Sequence, residues 1–113
     1  MELKKNLFDE LNGYKNYTVD ILVENEKVGR VDIIVPPEEE SNEVYIEMIT
    51  INKDQRNKGY GTTALNMLAE EYGFIYMAPD DENNQRLYKR IGEEYTVNTP
   101  EVDQGFGVYF IEK

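Results

Sequence analysis

The sequence predicts an α+β domain: a mixed, mostly antiparallel, curved sheet flanked by helices. Three observations carry this. Residues 17–23, 28–35 and 43–51 are rich in β-branched and aromatic types, the composition of strands. Leu65, Leu68, Ala69 and Tyr72 recur at i, i+3, i+4 and i+7, the period of a helix, and Leu87, Tyr88 and Ile91 mark a second helical face. Strands and helices alternate in the second half of the chain, so the sheet is mixed.

In order along the chain, residues 2–12 read as a short amphipathic helix. Leu3, Leu7, Phe8 and Leu11 share one stripe, and Gly13 sits where a helix stops. Residues 17–23 and 28–35 form an antiparallel hairpin around the polar Glu24-Asn25-Glu26-Lys27. Pro36 and Pro37 stop the second of these strands, and Glu38, Glu39 and Glu40 keep the following loop in solvent. Residues 43–51 form the strongest strand, and Asn52 to Lys58 a polar loop. A helix starts at Gly59 or Tyr60 and ends at Gly73, ahead of a short buried strand over residues 74–77. Pro79-Asp80-Asp81 caps a helix over residues 82–91, which Gly92 ends. Residues 93–97 and 105–111 are expected as closing strands, joined by a loop holding Pro100 and Gly105.

The 113 residues fit one domain spanning 1–113. No apolar run reaches the roughly 18 residues of a membrane helix, and the N-terminus lacks the apolar stretch of a signal peptide. A cytoplasmic location without membrane association is the expectation. The chain has no cysteine and no histidine, which excludes Cys/His zinc sites and histidine-activated nucleophiles; no metal site is expected. Any general base is a carboxylate, a tyrosine, a lysine or a relayed water. With 23 acidic and 12 basic residues the net charge is −11, which argues against nucleic acid and favours either a cationic partner or plain solubility.

The motif that carries most information is Arg56-Asn57-Lys58-Gly59-Tyr60-Gly61, between a strand and a helix. The first turn of a helix has N–H groups without intrahelical partners, and the macrodipole adds positive potential there. Gly59 and Gly61 let backbone approach an anion, Arg56 and Lys58 add charge, and the Thr62 and Thr63 hydroxyls lie in the first turn. A pyrophosphate suits such a site. A plain Gly-rich turn before a helix has the same local pattern. The motif is neither a Walker loop nor a dinucleotide fingerprint.

This segment resembles the Gln/Arg-x-x-Gly-x-Gly/Ala signature of the GNAT superfamily of N-acetyltransferases. The Tyr45–Ile51 strand resembles that family's fourth strand. Gln85-Arg86-Leu87-Tyr88-Lys89-Arg90-Ile91-Gly92 resembles its second helix motif, Leu-Tyr-x-x-x-Gly. The likeness is good over residues 43–97 and loose elsewhere.

The resemblance implies a GNAT-like fold and transfer of acetyl from acetyl-CoA, as co-substrate, to a primary amine. It assigns the pantetheine arm to the backbone of Ile49, Thr50 and Ile51, with an amide near Ile49 polarising the thioester carbonyl. It assigns the pyrophosphate to Arg56, Asn57, Lys58, Gly59, Tyr60, Gly61 and Thr62. Tyr88 matches the tyrosine that protonates the leaving thiolate; packing its ring into the core is the other reading. The family's asparagine seven residues before that tyrosine is Asp81 here, and Asn84 is the substitute. Glu47 is the expected base, placed by strand alternation on one face with Tyr45, Ile49 and Ile51, or else it is simply solvent-exposed; Glu43 is the fallback. Fewer residues precede the fourth strand than in typical members, which have an extra strand and two helices there. An open, acidic acceptor side results, suited to a lysine of a basic protein or to a polyamine. Two alternatives stand beside this: a degenerate module that keeps the fold without transfer, and an acidic protein that only binds basic partners. Exposed strand edges fit a monomer or a homodimer.

Overall fold

The computed structural model describes residues 1–37, 43–94 and 107–113. Its elements are β1 (Glu2–Leu11), β2 (Tyr14–Val23), β3 (Glu26–Val35), β4 (Val44–Ile51), α1 (Tyr60–Tyr72), β5 (Phe74–Met77), α2 (Glu82–Ile91), β6 (Glu93–Glu94) and β7 (Tyr109–Glu112). The strands form a seven-stranded sheet in the order β1-β2-β3-β4-β5-β7-β6, antiparallel throughout except for the β4–β5 pair. The mixed, mostly antiparallel sheet with flanking helices is the expected class.

The expected helix over residues 2–12 is instead the edge strand β1. Leucines four apart fit either structure, and a helix this short is marginal in water without a surface to pack on. Pairing with β2 supplies both hydrogen bonds and packing, and a turn drives it. Asn12 (φ 54°) and Gly13 (φ 85°) both lie in the left-handed region, the geometry of a two-residue hairpin turn that Asn-Gly favours. A β-carbon on Gly13 would lie 2.8 Å from Pro37 Cγ, so the turn seats against the end of β3. Glu24 (φ 52°) and Asn25 (φ 66°) make the matching turn into β3. Residues 2–51 are thus a four-stranded meander, with no helix ahead of β4 among the described residues.

Both helices lie over one face of the sheet. Ala64, Leu65, Leu68 and Ala69 of α1 are fully buried together with Val19, Ile21, Val31, Ile33, Ile46 and Ile75. Each buried Val, Leu or Ile side chain here contributes about 1.5–3 kcal/mol when removed from water. Lys5 of β1 ties the far end of α1 to the sheet edge, with Nζ 2.6 Å from Glu71 and 4.5 Å from the Tyr72 ring centroid. The opposite face of β2–β3 is polar, with ion pairs Lys27–Asp20 (3.0 Å) and Arg30–Asp32 (3.1 Å). Of the expected closing strands, Glu93–Glu94 and Tyr109–Glu112 are strands among the described residues, and residues 95–97 and 105–106 lie outside them. Pro100, Gly105 and the acids Glu38, Glu39 and Glu40 lie outside the described residues.

Candidate functional site

The site forms where two neighbouring strands part. Val44, Ile46 and the intervening Tyr45 pair with Ile75, Met77 and Tyr76 of β5, which then ends. β4 runs on to Ile51, held only on its β3 side, where Gly29 pairs with Ile51. The backbone of 48–51 therefore has an unpaired edge on the β5 side. A cleft of about 540 Å³ opens along it, bounded by Met48 to Ile51, by Gln55 to Asn57 and Gly59 to Thr62, and by the start and one face of α2.

A bulge shapes the middle of β4. Asp32 pairs with Met48 and Ile33 with Ile46, which leaves Glu47 unmatched. Burial follows: Val44 and Ile46 are core residues, and beyond the bulge so is Ile49. Strict alternation places Glu47 on one face with Tyr45, Ile49 and Ile51; the extra residue breaks that parity, and Ile49 turns inward while Glu47 is exposed. Bulge formation depends on the partner strand, so local sequence did not reveal it.

At the far end of the cleft, α1 begins without a side-chain cap. Its first internal bond is Thr63 N–H to Gly59 O at 3.0 Å, which leaves the amides of Gly59, Tyr60, Gly61 and Thr62 unbonded within the helix. The incoming loop is held by Arg56 Nε donating to Ile51 O (3.1 Å) and Lys58 Nζ donating to Gln55 Oε1 (3.1 Å). Asn57 (φ 64°) and Gly59 (φ 77°) turn the chain into the helix. The two glycines differ in role. Nothing lies within 4 Å of a β-carbon built on Gly59, so that position is conformational. On Gly61 such a carbon would meet Leu87 Cδ2 at 3.5 Å and Ile49 Cδ1 at 3.6 Å, so that position sets how closely α1, α2 and β4 pack.

The other wall is α2. Asp81 is its N-cap, accepting from Asn84 N–H at 2.7 Å, which accounts for an acid at this position. Asn84 lines the cleft, as do Asp80, Arg86 and Arg90. Arg90 Nη2 lies 3.5 Å from Thr62 Oγ1, across the gap between the helices. The two arginines are absent from the motif-based set. Their signal was Asn83, Arg86, Leu87 and Arg90 at i, i+3, i+4 and i+7, one face of α2.

Ten of the thirteen residues singled out from the sequence line this cleft: Ile49, Thr50, Ile51, Arg56, Asn57, Gly59, Tyr60, Gly61, Thr62 and Asn84. Lys58, Glu47 and Tyr88 do not line it. Tyr88 is 1% exposed. Burial, then the charges of Asp80, Tyr45 and Asp81, push its phenol well above the ordinary range. Tyr45 and Tyr76 sit on the sheet face away from the helices, with ring centroids 4.9 Å apart. Both phenols are raised, Tyr45 by burial and then by Tyr76, Glu47 and Asp80, and Tyr76 by burial and then by Glu43. Tyr45, the first turn after β5 and Tyr88 therefore meet at the point where β4 and β5 separate.

Known proteins fit this geometry. The sequence model described as the acetyltransferase (GNAT) family matches residues 2–92. Tetrahymena GCN5 superposes with a TM-score of 0.64 at 11% identity, over 89% of this chain and 69% of that one. A GNAT family acetyltransferase from Elizabethkingia anophelis with acetyl-CoA bound superposes at 0.56 and 17% identity, over 89% and 77%. A Bacillus subtilis acetyltransferase in complex with CoA superposes at 0.57 and 13% identity over 99% of both chains, so the compact architecture recurs at full length there. No protein of curated function matches the sequence.

Proposed function

The chain belongs to the acetyltransferase (GNAT) family, and from that premise we propose that it transfers acetyl from acetyl-CoA to a primary amine. The single observation that carries this is the splay of β4 from β5, leading to an uncapped helix N-terminus. The free edge of 48–51 offers main-chain donors and acceptors to the amide-bearing pantetheine arm. The amides of 59–62, with Arg56 close by, offer a seat for the diphosphate. Two neighbours of the same fold have acetyl-CoA or CoA bound.

The thioester carbonyl then lies near the bulge, where a β4 amide stabilises the developing oxyanion. The amine attacks that carbonyl, the carbon–sulfur bond breaks, the nitrogen gives up a proton and the thiolate leaves. The sequence has no cysteine, so transfer is direct rather than through an enzyme thioester. Tyr88 remains protonated at any physiological pH because its phenol is raised. A free thiol titrates at about 8.5, so full proton transfer from so weak an acid is uphill. Tyr88 serves instead as a hydrogen-bond donor to the developing thiolate. Glu47, projecting from the bulge, takes the amine proton directly or through water, with Glu43 as its fallback.

The acceptor side is the sheet face of Tyr45 and Tyr76, edged by Glu43 and Glu47. Carboxylates beside aromatic rings favour an ammonium group. With a net charge of −11 this selects a polyamine or an exposed protein lysine over neutral amines. The test is calorimetric titration with acetyl-CoA, followed by thiol release against spermidine, basic peptides and neutral amines. Absence of acetyl-CoA binding would sink the proposal.

One observation favours a second reading, a degenerate module that holds the cofactor and a basic partner without transfer. Tyr88 is 1% exposed and does not line the cleft. That reading expects binding with no thiol release from any amine.

A further inference from the structure

We infer that Arg90 is a specificity-determining residue for the ligand's diphosphate, closing on it from α2 while the first turn of α1 holds it from the other side. The inference rests on the proposed acetyl-CoA site and adds a residue outside the signature loop.

Three observations converge on it. Arg90 lines the same cleft as the α1 amides, and its Nη2 is 3.5 Å from Thr62 Oγ1, at the outer limit of a hydrogen bond. The guanidinium is thus placed but lightly held, with most of its donors uncommitted. Secondly, Thr62 is the last residue whose amide lacks an intrahelical partner, so the Arg90 guanidinium, at the Thr62 hydroxyl, lies beside the turn that carries the orphan amides. Thirdly, Arg56 and Arg90 both line this cleft, and neither has a carboxylate within ion-pair distance among the described residues. In so acidic a chain, two unneutralised guanidinium groups around one helix N-terminus are what a dianionic group needs. Arginine suits phosphate oxygens because its planar fork donates two parallel bonds.

An alternative role is helix stabilisation, since Arg90 lies in the last turn of α2 with Lys89. Lys89 controls for that: it carries the same charge one residue earlier and does not line the cleft.

The test compares wild type, Arg90→Gln, Arg90→Lys and Lys89→Gln by calorimetric titration with acetyl-CoA and with 3′-dephospho-CoA at two salt concentrations. Thermal melts of the free proteins run alongside. Arg90→Gln should weaken acetyl-CoA binding by about tenfold or more, the loss of one charge-assisted contact. Its salt dependence should flatten, and dephospho-CoA should weaken by the same factor because the diphosphate is retained. Arg90→Lys should recover only part of the loss, and Lys89→Gln should stay within about twofold of wild type. Equal affinity of wild type and Arg90→Gln overturns the inference while leaving the acetyl-CoA site intact. A loss confined to acetyl-CoA overturns it in favour of the 3′-phosphate, and an equal loss in Lys89→Gln reduces it to helix electrostatics. A wild type that binds neither ligand refutes the underlying site instead.

Discussion

Replacing Gly61 with alanine should stabilise this protein, although the residue sits in the signature loop. Gly61 is buried in the first turn of α1 with a helical conformation. A β-carbon there would lie 3.5 Å from Leu87 Cδ2, 3.6 Å from Ile49 Cδ1 and 3.8 Å from Ile51 Cγ1, all ordinary contact distances. The methyl therefore fits, and its burial contributes about 0.8 kcal/mol. Relief of the glycine's helix penalty adds up to about 1 kcal/mol, less so close to a helix end. Together these give roughly 1–2 kcal/mol, which raises Tm by about 4–8 °C for a domain of this size. The family signature admits alanine at this position, so acetyl-CoA affinity should stay within about threefold. Gly59→Ala should do the opposite. Its φ of 77° is costly for any residue with a β-carbon, about 1–2 kcal/mol, although nothing crowds it. Urea denaturation and calorimetric titration of both variants check this. A destabilised Gly61→Ala, or one with its affinity abolished, would refute the packing role and show that the glycine is needed for close approach of the ligand.

Tyr88→Phe should lower kcat on the order of 10²-fold, the typical loss of one transition-state donor, with KM for acetyl-CoA little changed in steady-state thiol release. The same variant tests a pH effect: the raised phenol contributes stability that is intact below the unfolded value of about 10 and is lost as pH rises towards the folded value. Denaturation midpoints above pH 10 should therefore fall more gently in Tyr88→Phe than in wild type. Asp81→Ala removes the acceptor for Asn84 N–H and should cost about 1 kcal/mol in urea unfolding, with Asp81→Ser restoring most of it. Glu47→Gln should lower kcat/KM for spermidine and steepen its dependence on pH, while acetyl-CoA affinity is unchanged; unaltered turnover would remove Glu47 from the mechanism.

The legible parts of the sequence were those whose determinants are local. α1, β5 and α2 fall where periodicity and the punctuating Gly73, Asp81 and Gly92 put them. The loop from Arg56 to Gly61 does lead into an uncapped helix start, because glycine chemistry and the absence of a capping side chain are both written in that segment. The misreading of residues 2–12 had a local remedy, the Asn12-Gly13 turn signal, which outweighs a leucine stripe that fits two structures. The bulge at Glu47 had none. It exists because Asp32 pairs with Met48 while Ile33 pairs with Ile46, and that register depends on a strand elsewhere in the chain. Arg90 is intermediate: its spacing from Leu87 was visible, but its proximity to Thr62 needs the packing of two helices.

The parting of β4 from β5 also bears on how the molecule opens. β1, β2 and β3 are joined by tight turns and β1 to β4 by long ladders, so this half closes through contacts near in sequence. The second half is attached to it chiefly through three ladder rows, Val44 with Ile75, Tyr45 with Tyr76 and Ile46 with Met77, and through α1 packed across the junction. That seam is much shorter than the ladders that join β1 to β4 and is the natural line of local unfolding. Backbone amides of β5 and β7 should exchange with solvent sooner than those of β2 and β3. A ligand lying in the cleft touches both sides of the seam. Its occupancy should slow exchange in β5 well beyond the residues it contacts.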